Sequence, residues 1–89
     1  MDILTKASAG TLESSDVYVE IEPSANGLSV QVESVVEEQF GEAIRESVYA
    51  VLNECGITGA AVRIVDRGAL DCVIRARVET AVLRGRETV

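Results

Sequence analysis

Ser14 and Ser15 stand between two carboxylates, Glu13 and Asp16, in the stretch Ala9-Gly10-Thr11-Leu12-Glu13-Ser14-Ser15-Asp16. Serine and aspartate favour turns because their short side chains bond to nearby backbone, so at least one hydroxyl should reach solvent. A serine becomes a nucleophile only when a neighbouring base takes its proton, and the chain contains no histidine. That removes Ser-His-Asp and Cys-His catalysis, and histidine acid–base chemistry, together. Asp16 is close to Ser14, but a carboxylate alone rarely activates a serine, and Asp16 reads more simply as a turn former. Other candidates do no better. The glycines are scattered rather than gathered into a phosphate-cradling loop. Asp66-Arg67-Gly68-Ala69-Leu70-Asp71 places two carboxylates near a glycine without the ligand count of a calcium loop, and reads as a strand-to-helix turn. Cys55 and Cys72 fall within helical apolar patterns, as small buried hydrophobes would, and two cysteines without histidine make a poor metal site. No catalytic residue and no metal ligand set is expected in a chain with so little room for a substrate pocket.

Charge and composition narrow the partners. Residues 1–60 carry eleven acids against Lys6 and Arg45, for −9, and residues 61–89 carry six arginines against four acids, for +2, which gives the net −7. Binding to a nucleic-acid backbone needs clustered cations, and Tyr18, Phe40 and Tyr49 are too few for a base-stacking platform. An acidic body with an arginine-bearing C-terminal segment fits docking to protein partners, in which charge sets orientation and on-rate. A well-solvated surface is the alternative. No apolar run approaches the length of a membrane span, and Met1-Asp2-Ile3-Leu4-Thr5-Lys6 lacks the form of a signal peptide, so a cytoplasmic protein with reduced cysteines is expected.

The elements that must hold the serine turn are legible from periodicity. The 89 residues make one small domain. Residues 1–12 are weakly patterned, a mobile arm or an edge strand. Val17-Tyr18-Val19-Glu20-Ile21-Glu22 and Leu28-Ser29-Val30-Gln31-Val32-Glu33 alternate as half-buried strands. With Asn26-Gly27 between them they read as an antiparallel hairpin. Ser34 and Glu37 match a capping box that opens a helix burying Val36, Phe40, Ile44, Val48, Val51, Leu52 and Cys55, with Gly56 as its stop. Ala60 to Asp66 reads as a third strand. A second helix is expected from about Ala69 to Leu83, with Leu70, Val73, Ile74, Val78, Ala81 and Val82 inward, Arg77 at the margin, and Asp71, Arg75 and Glu79 as an outer ladder. Arg84 to Val89 reads as a frayed tail. The expected fold is α+β: a two-layer sandwich with a small antiparallel or mixed sheet of three to four strands. Two helices cover one face in the order arm-β-β-α-β-α. The other face, with Tyr18, Glu20, Ser29 and Gln31, would be wet or would bind a partner.

Ala9 to Val17 together with Asp66 to Arg77 closely resembles the acyl carrier protein of citrate lyase, its gamma subunit, and Val35 to Arg45 is similar to that family's first helix. The resemblance runs in order over nearly the whole chain. It implies a non-catalytic carrier. In that family a serine of the AGTLES motif holds a CoA-derived arm, 2'-(5''-phosphoribosyl)-3'-dephospho-CoA, through a phosphodiester. The matching position here is Ser14, and Ser15, where the family pattern is looser, is the neighbouring hydroxyl. A separate transferase makes the attachment, so the serine needs no base of its own. The implied cycle has the alpha subunit exchange an acetyl group on the arm for citrate, and the beta subunit cleave the citryl thioester to oxaloacetate. Arg67, Arg75 and Arg77 are candidate contacts for those subunits or for the arm's phosphates. Two rivals stay open. One is the carrier of malonate decarboxylase, which uses the same kind of arm, though the AGTLES and GALD segments favour the citrate system. The other is a small regulatory or scaffold domain in which Ser14 only shapes a turn.

Overall fold

In the computed structural model, which describes residues 2–35 and 37–87 without the side chains of 37–39, six elements follow one another. They are β1 (Ala7–Gly10), β2 (Val17–Pro23), β3 (Leu28–Ser34), α1 (Glu37–Glu54), β4 (Ala60–Asp66) and α2 (Asp71–Arg86). The strands form one mixed sheet in the order β1-β2-β4-β3. Strand β1, four small residues, is one edge strand and β3 the other.

The alternation that defined each strand also sets its faces. Val17, Val19 and Ile21 of β2 lie beside Asp66, Ile64 and Val62 of β4, and Val30 and Val32 of β3 lie beside Val62 and Ile64. These side chains share one face and meet Ile44, Val48, Val51 and Leu52 of α1 and Ile74, Val78, Ala81 and Val82 of α2 in a single core. Helix α1 packs over β3, α2 over β1 and β2, and the helices touch each other, which is the expected two-layer α+β sandwich. Burying each Val, Leu or Ile removes it from water at a gain of roughly 1.5–3 kcal/mol. On the other face Tyr18 lies beside Val65, and Glu20 beside Arg63, with Glu20 and Arg63 in an ion pair at 3.4 Å.

The expected β2–β3 hairpin does not form. Strand β4 lies between the two, antiparallel to β2 and parallel to β3. Alternation tells which face a residue takes, and not which strand lies alongside. Composition fits the outcome: β4 has Ile64, Val65 and Asp66 buried in succession, as suits an interior strand paired along both of its edges. The β2–β3 connection crosses the end of β4, where a Cβ on Gly59 would come within 2.4 Å of the Ser24 carbonyl oxygen.

Other expectations shift at the helix ends. Helix α2 begins at Asp71, with Leu70 as its extended N-cap and 71% exposed. It continues through Arg86, so Arg84 and Gly85 are helical and not part of a frayed tail. Gly85 packs against Ile3, and its carbonyl accepts from the Leu4 and Thr5 amides. Cys72 is exposed, because it lies two residues, about 200° around the helix, from buried Ile74. Cys55 is half-buried against the core, and both thiols are free. Phe40 shares the stripe of Ile44 but sits in the first turn of α1 and stays 53% exposed. There it borders a cleft of about 160 Å³ with Ala43, Ile44, Ala69 and Ile74. The capping box and inward Val36 fall partly outside the described residues. The Ser34 hydroxyl donates to Asp66 at 2.8 Å.

Candidate functional site

The serine stretch closes the β1–β2 hairpin. Gly10 pairs with Tyr18 at the end of the ladder, and the Thr11 amide donates to the Val17 carbonyl at 3.2 Å. Gly10 has φ +90°, and a Cβ there would lie 1.8 Å from the Val17 carbonyl oxygen. Only glycine fits such a close approach with positive φ.

Beyond Gly10 the chain makes a tight turn. The Asp16 amide donates to the Glu13 carbonyl at 3.1 Å, which puts Ser14 and Ser15 at the two corners. Ser15 has φ +66° and Ser14 does not have positive φ, the pattern of a type II turn. That conformation is costly for a residue with a side chain, of order 1–3 kcal/mol, so the surroundings must hold it. The Ser15 amide donates to the Arg67 carbonyl at 2.8 Å, and the Arg67 amide donates to the Asp16 carbonyl at 2.9 Å. The turn is thus bonded on both sides to the chain leaving β4. Ser14 and Ser15 are both exposed. Among the described residues the Ser14 hydroxyl has no hydrogen-bond partner.

Asp16 is the turn former that its place suggested, with more partners than local sequence could show. Its carboxylate accepts from the Thr11 hydroxyl at 2.6 Å and from the Val17 amide at 2.7 Å. The Arg77 guanidinium reaches it with both Nε and Nη2, at 3.3 and 3.2 Å. The Thr11 hydroxyl first, then the Val17 amide and Arg77, hold the Asp16 carboxyl below the usual carboxylate range against the opposing cost of desolvation. Asp16 is therefore an acceptor already in use, and is not poised to take a proton from Ser14.

Asp66 plays the matching part on the β4 side. It is 2% exposed and accepts from the Ser34 hydroxyl and from the Gly68 and Ala69 amides at 3.2 and 2.9 Å. Buried carboxylates persist where such donors surround them. Its own carbonyl accepts from the Val35 amide. Asp66 thus ties the ends of β3 and β4 to the turn that leads into α2. The strand-to-helix reading of Asp66 to Asp71 holds, and the anchoring role of Asp66 was legible only as an aspartate two residues before a glycine.

The three arginines singled out from their clustering differ once placed. Arg75 bonds Asp71 at 2.9 Å one helical turn away, while Glu79 has no part in that pair among the described residues. Asp71 also accepts from the Ser47 hydroxyl of α1. That bond chiefly, with Arg75, lowers its carboxyl pKa. Arg77 is committed to Asp16, and Arg67 stays exposed beside the serine turn.

The family model for the malonate decarboxylase delta subunit matches residues 4–85. The citrate lyase acyl carrier protein of Yersinia enterocolitica is 51% identical over 88 residues, covering 98% of this chain and 91% of that protein. That of Weissella paramesenteroides is 49% identical over 89 residues, covering 100% and 92%. The chain belongs to the citrate lyase acyl carrier family. The fold agrees: a chain of a Pseudomonas malonate decarboxylase hetero-tetramer, solved with malonate, matches with a TM-score of 0.75 at 27% identity, covering 86% of this chain and 79% of that one. As a member of this family, the carrier is a non-catalytic subunit, in keeping with a serine turn that has no base. No helix among the described residues is long and apolar enough to cross a membrane.

Proposed function

We propose that this carrier serves citrate lyase by holding a CoA-derived arm, 2'-(5''-phosphoribosyl)-3'-dephospho-CoA, through a phosphodiester on Ser14. The observation that carries the reading is the Ser14 hydroxyl: exposed and unpartnered among the described residues, at the corner of a turn whose backbone is bonded to the chain leaving β4. An acyl carrier needs a hydroxyl that a separate transferase can reach, on a frame that does not move when the arm is pulled toward another subunit. The residues present fit such a group, since nothing in the described turn competes for the hydroxyl.

The arm supplies a terminal thiol on which acetyl and citryl groups travel as thioesters between the alpha and beta subunits of citrate lyase. The chain's own part is mechanical. Gly10 lets the hairpin close, Asp16 and Asp66 fix the backbone on either side of the serine, and the β-β-β-α-β-α body holds the turn out to larger partners. Ser15 is the lesser choice of attachment point, because its positive φ and its amide bond to Arg67 fix it more tightly against β4.

A second reading, a carrier for malonate decarboxylase, is favoured by the matching family model and by the solved hetero-tetramer. Reconstitution with the catalytic subunits of each system separates the two.

Intact-mass and peptide mass spectrometry on protein from the native host, grown under citrate-fermenting conditions, tests the attachment. The Ser14 peptide should carry the mass of the arm, and an unmodified peptide there would sink the carrier reading. Ser14→Ala should abolish both loading and activity of the reconstituted complex. As an exposed substitution it should change stability by no more than about 0.5 kcal/mol.

A further inference from the structure

The described arginines divide unequally between those with partners and one without. Arg45 pairs with Glu42, Arg63 with Glu20, Arg75 with Asp71 and Arg77 with Asp16. Arg84 donates to the Ser8 carbonyl and Arg86 to the Cys55 carbonyl. Arg67 alone among them has no side-chain partner among the described residues. A free guanidinium on the surface of a protein with net charge −7 is a cation left over where acids are plentiful.

Its place is what makes this informative. The amide of Arg67 donates to Asp16, and its carbonyl accepts from Ser15, so its backbone is bonded directly to the turn that presents Ser14. The carboxylate of Asp16, whose carbonyl accepts from the Arg67 amide, is already satisfied by Thr11, Val17 and Arg77. Arginine is suited to a phosphodiester, since its planar fork can donate two parallel hydrogen bonds to two phosphate oxygens and keeps its charge at any working pH.

We propose that Arg67 binds the phosphodiester that joins the arm to Ser14. This rests on the carrier reading above. Arg77 and Arg75, which the sequence placed on an equal footing with Arg67, hold Asp16 and Asp71 and leave the phosphate to Arg67. The bond limits the directions in which the arm leaves the turn and offsets the repulsion of its first phosphate by Glu13 and the acidic surface.

The test uses the full ¹⁵N-labelled chain, apo and after loading by the transferase, with the mass of the Ser14 peptide measured first. Guanidinium Nε–Hε spectra of the two forms should differ most at Arg67, and raising the salt to about 1 M, where screening acts within roughly 3 Å, should shrink that difference. In the loaded protein Arg67→Ala should move the ³¹P resonance of the serine phosphodiester, Arg67→Lys should move it less, and Arg75→Ala should leave it in place. Superposable amide spectra of the variants show that each is folded. A loaded chain whose Arg67 signal and ³¹P resonance are both unmoved overturns the assignment and leaves the carrier reading standing. So does one in which Arg77 shifts instead. Absence of the arm from Ser14 overturns both.

Discussion

The two ends of the sheet use the same device, an aspartate that gathers backbone amides, to opposite effect. At one end Asp2 accepts from the Thr58 and Gly59 amides and the Thr58 hydroxyl. Ile3 is buried against Gly85, and Leu4 and Thr5 bond the Gly85 carbonyl. The N-terminal segment, the α1–β4 connection and the last turn of α2 are sewn together there. At the other end Asp16 and Asp66 fix β1, β2, β3 and β4 around the Ser14 turn, yet leave the Ser14 hydroxyl and the Arg67 guanidinium with no partner among the described residues. One end closes the fold, and the other leaves an exposed hydroxyl outside it. The attachment proposed at Ser14 calls for both, because an arm is aimed only if its root does not move.

The largest effect that would break this contrast comes from Gly10. Gly10→Ala places a methyl in the path of the Val17 carbonyl and a side chain at φ +90°. The hairpin must open at the serine turn, at a cost of roughly 2–4 kcal/mol. Chemical denaturation should show the loss, and amide exchange should show it concentrated at Thr11 to Val17. Equal stability of the variant would mean that the turn is not held by this close approach.

How far this contrast could be read from the sequence depends on whether a residue's partner is near it along the chain. The faces of β2, β3 and β4 followed from alternation, and the exposed Ser14 turn followed from its residue types. The neighbours of those strands did not, because the insertion of β4 between β2 and β3 is decided by pairing and packing across the whole sheet, which no single strand's alternation carries. Arg77 lies far from Asp16 in the chain, and no local signal ties the two. Arg67, Arg75 and Arg77 were therefore indistinguishable until their carboxylates were placed. Phe40 and Leu70 kept the right period but fell at helix ends, where the stripe runs past the layer it would cover.

Acid sharpens the comparison more gently. The bonds from Thr58, first through its hydroxyl, and from Gly59 lower the Asp2 carboxyl pKa to about 2, and Asp16 is also held below its ordinary range. Both are depressed in the folded chain, so their contributions are complete above the unfolded value near 3.8 and fade as pH falls through the folded values. Thermal stability should therefore decline from about pH 4 toward pH 2. Asp2→Asn should flatten that decline by removing the share of the N-terminal segment, whereas Asp16→Asn should flatten it by the turn's share. Parallel acid limbs in all three proteins would show that neither aspartate couples folding to protonation.

The smallest effect concerns Arg77. Its guanidinium is 41% exposed and forks onto Asp16, itself 17% exposed, so the pair is only partly desolvated and should contribute in the range of exposed ion pairs, about 0.2–1 kcal/mol. Thr11 and the Val17 amide remain on the carboxylate when the arginine is gone. Arg77→Met keeps much of the side chain's packing and removes its charge, so stability should fall by less than about 1 kcal/mol. A double-mutant cycle with Asp16→Asn isolates the pair from its surroundings. The informative measurement is then at Arg67. With Arg77 gone, the Asp16 carboxylate regains part of its unbalanced charge beside the turn, and Arg67 is the nearest guanidinium along the bonded backbone without a partner. In the apo Arg77→Met protein the Arg67 Nε–Hε signal should shift toward that of a paired arginine. If it does not move, Arg77 is only a strut between α2 and the turn, and the division of labour among the arginines at this end is less strict than their pairing implies.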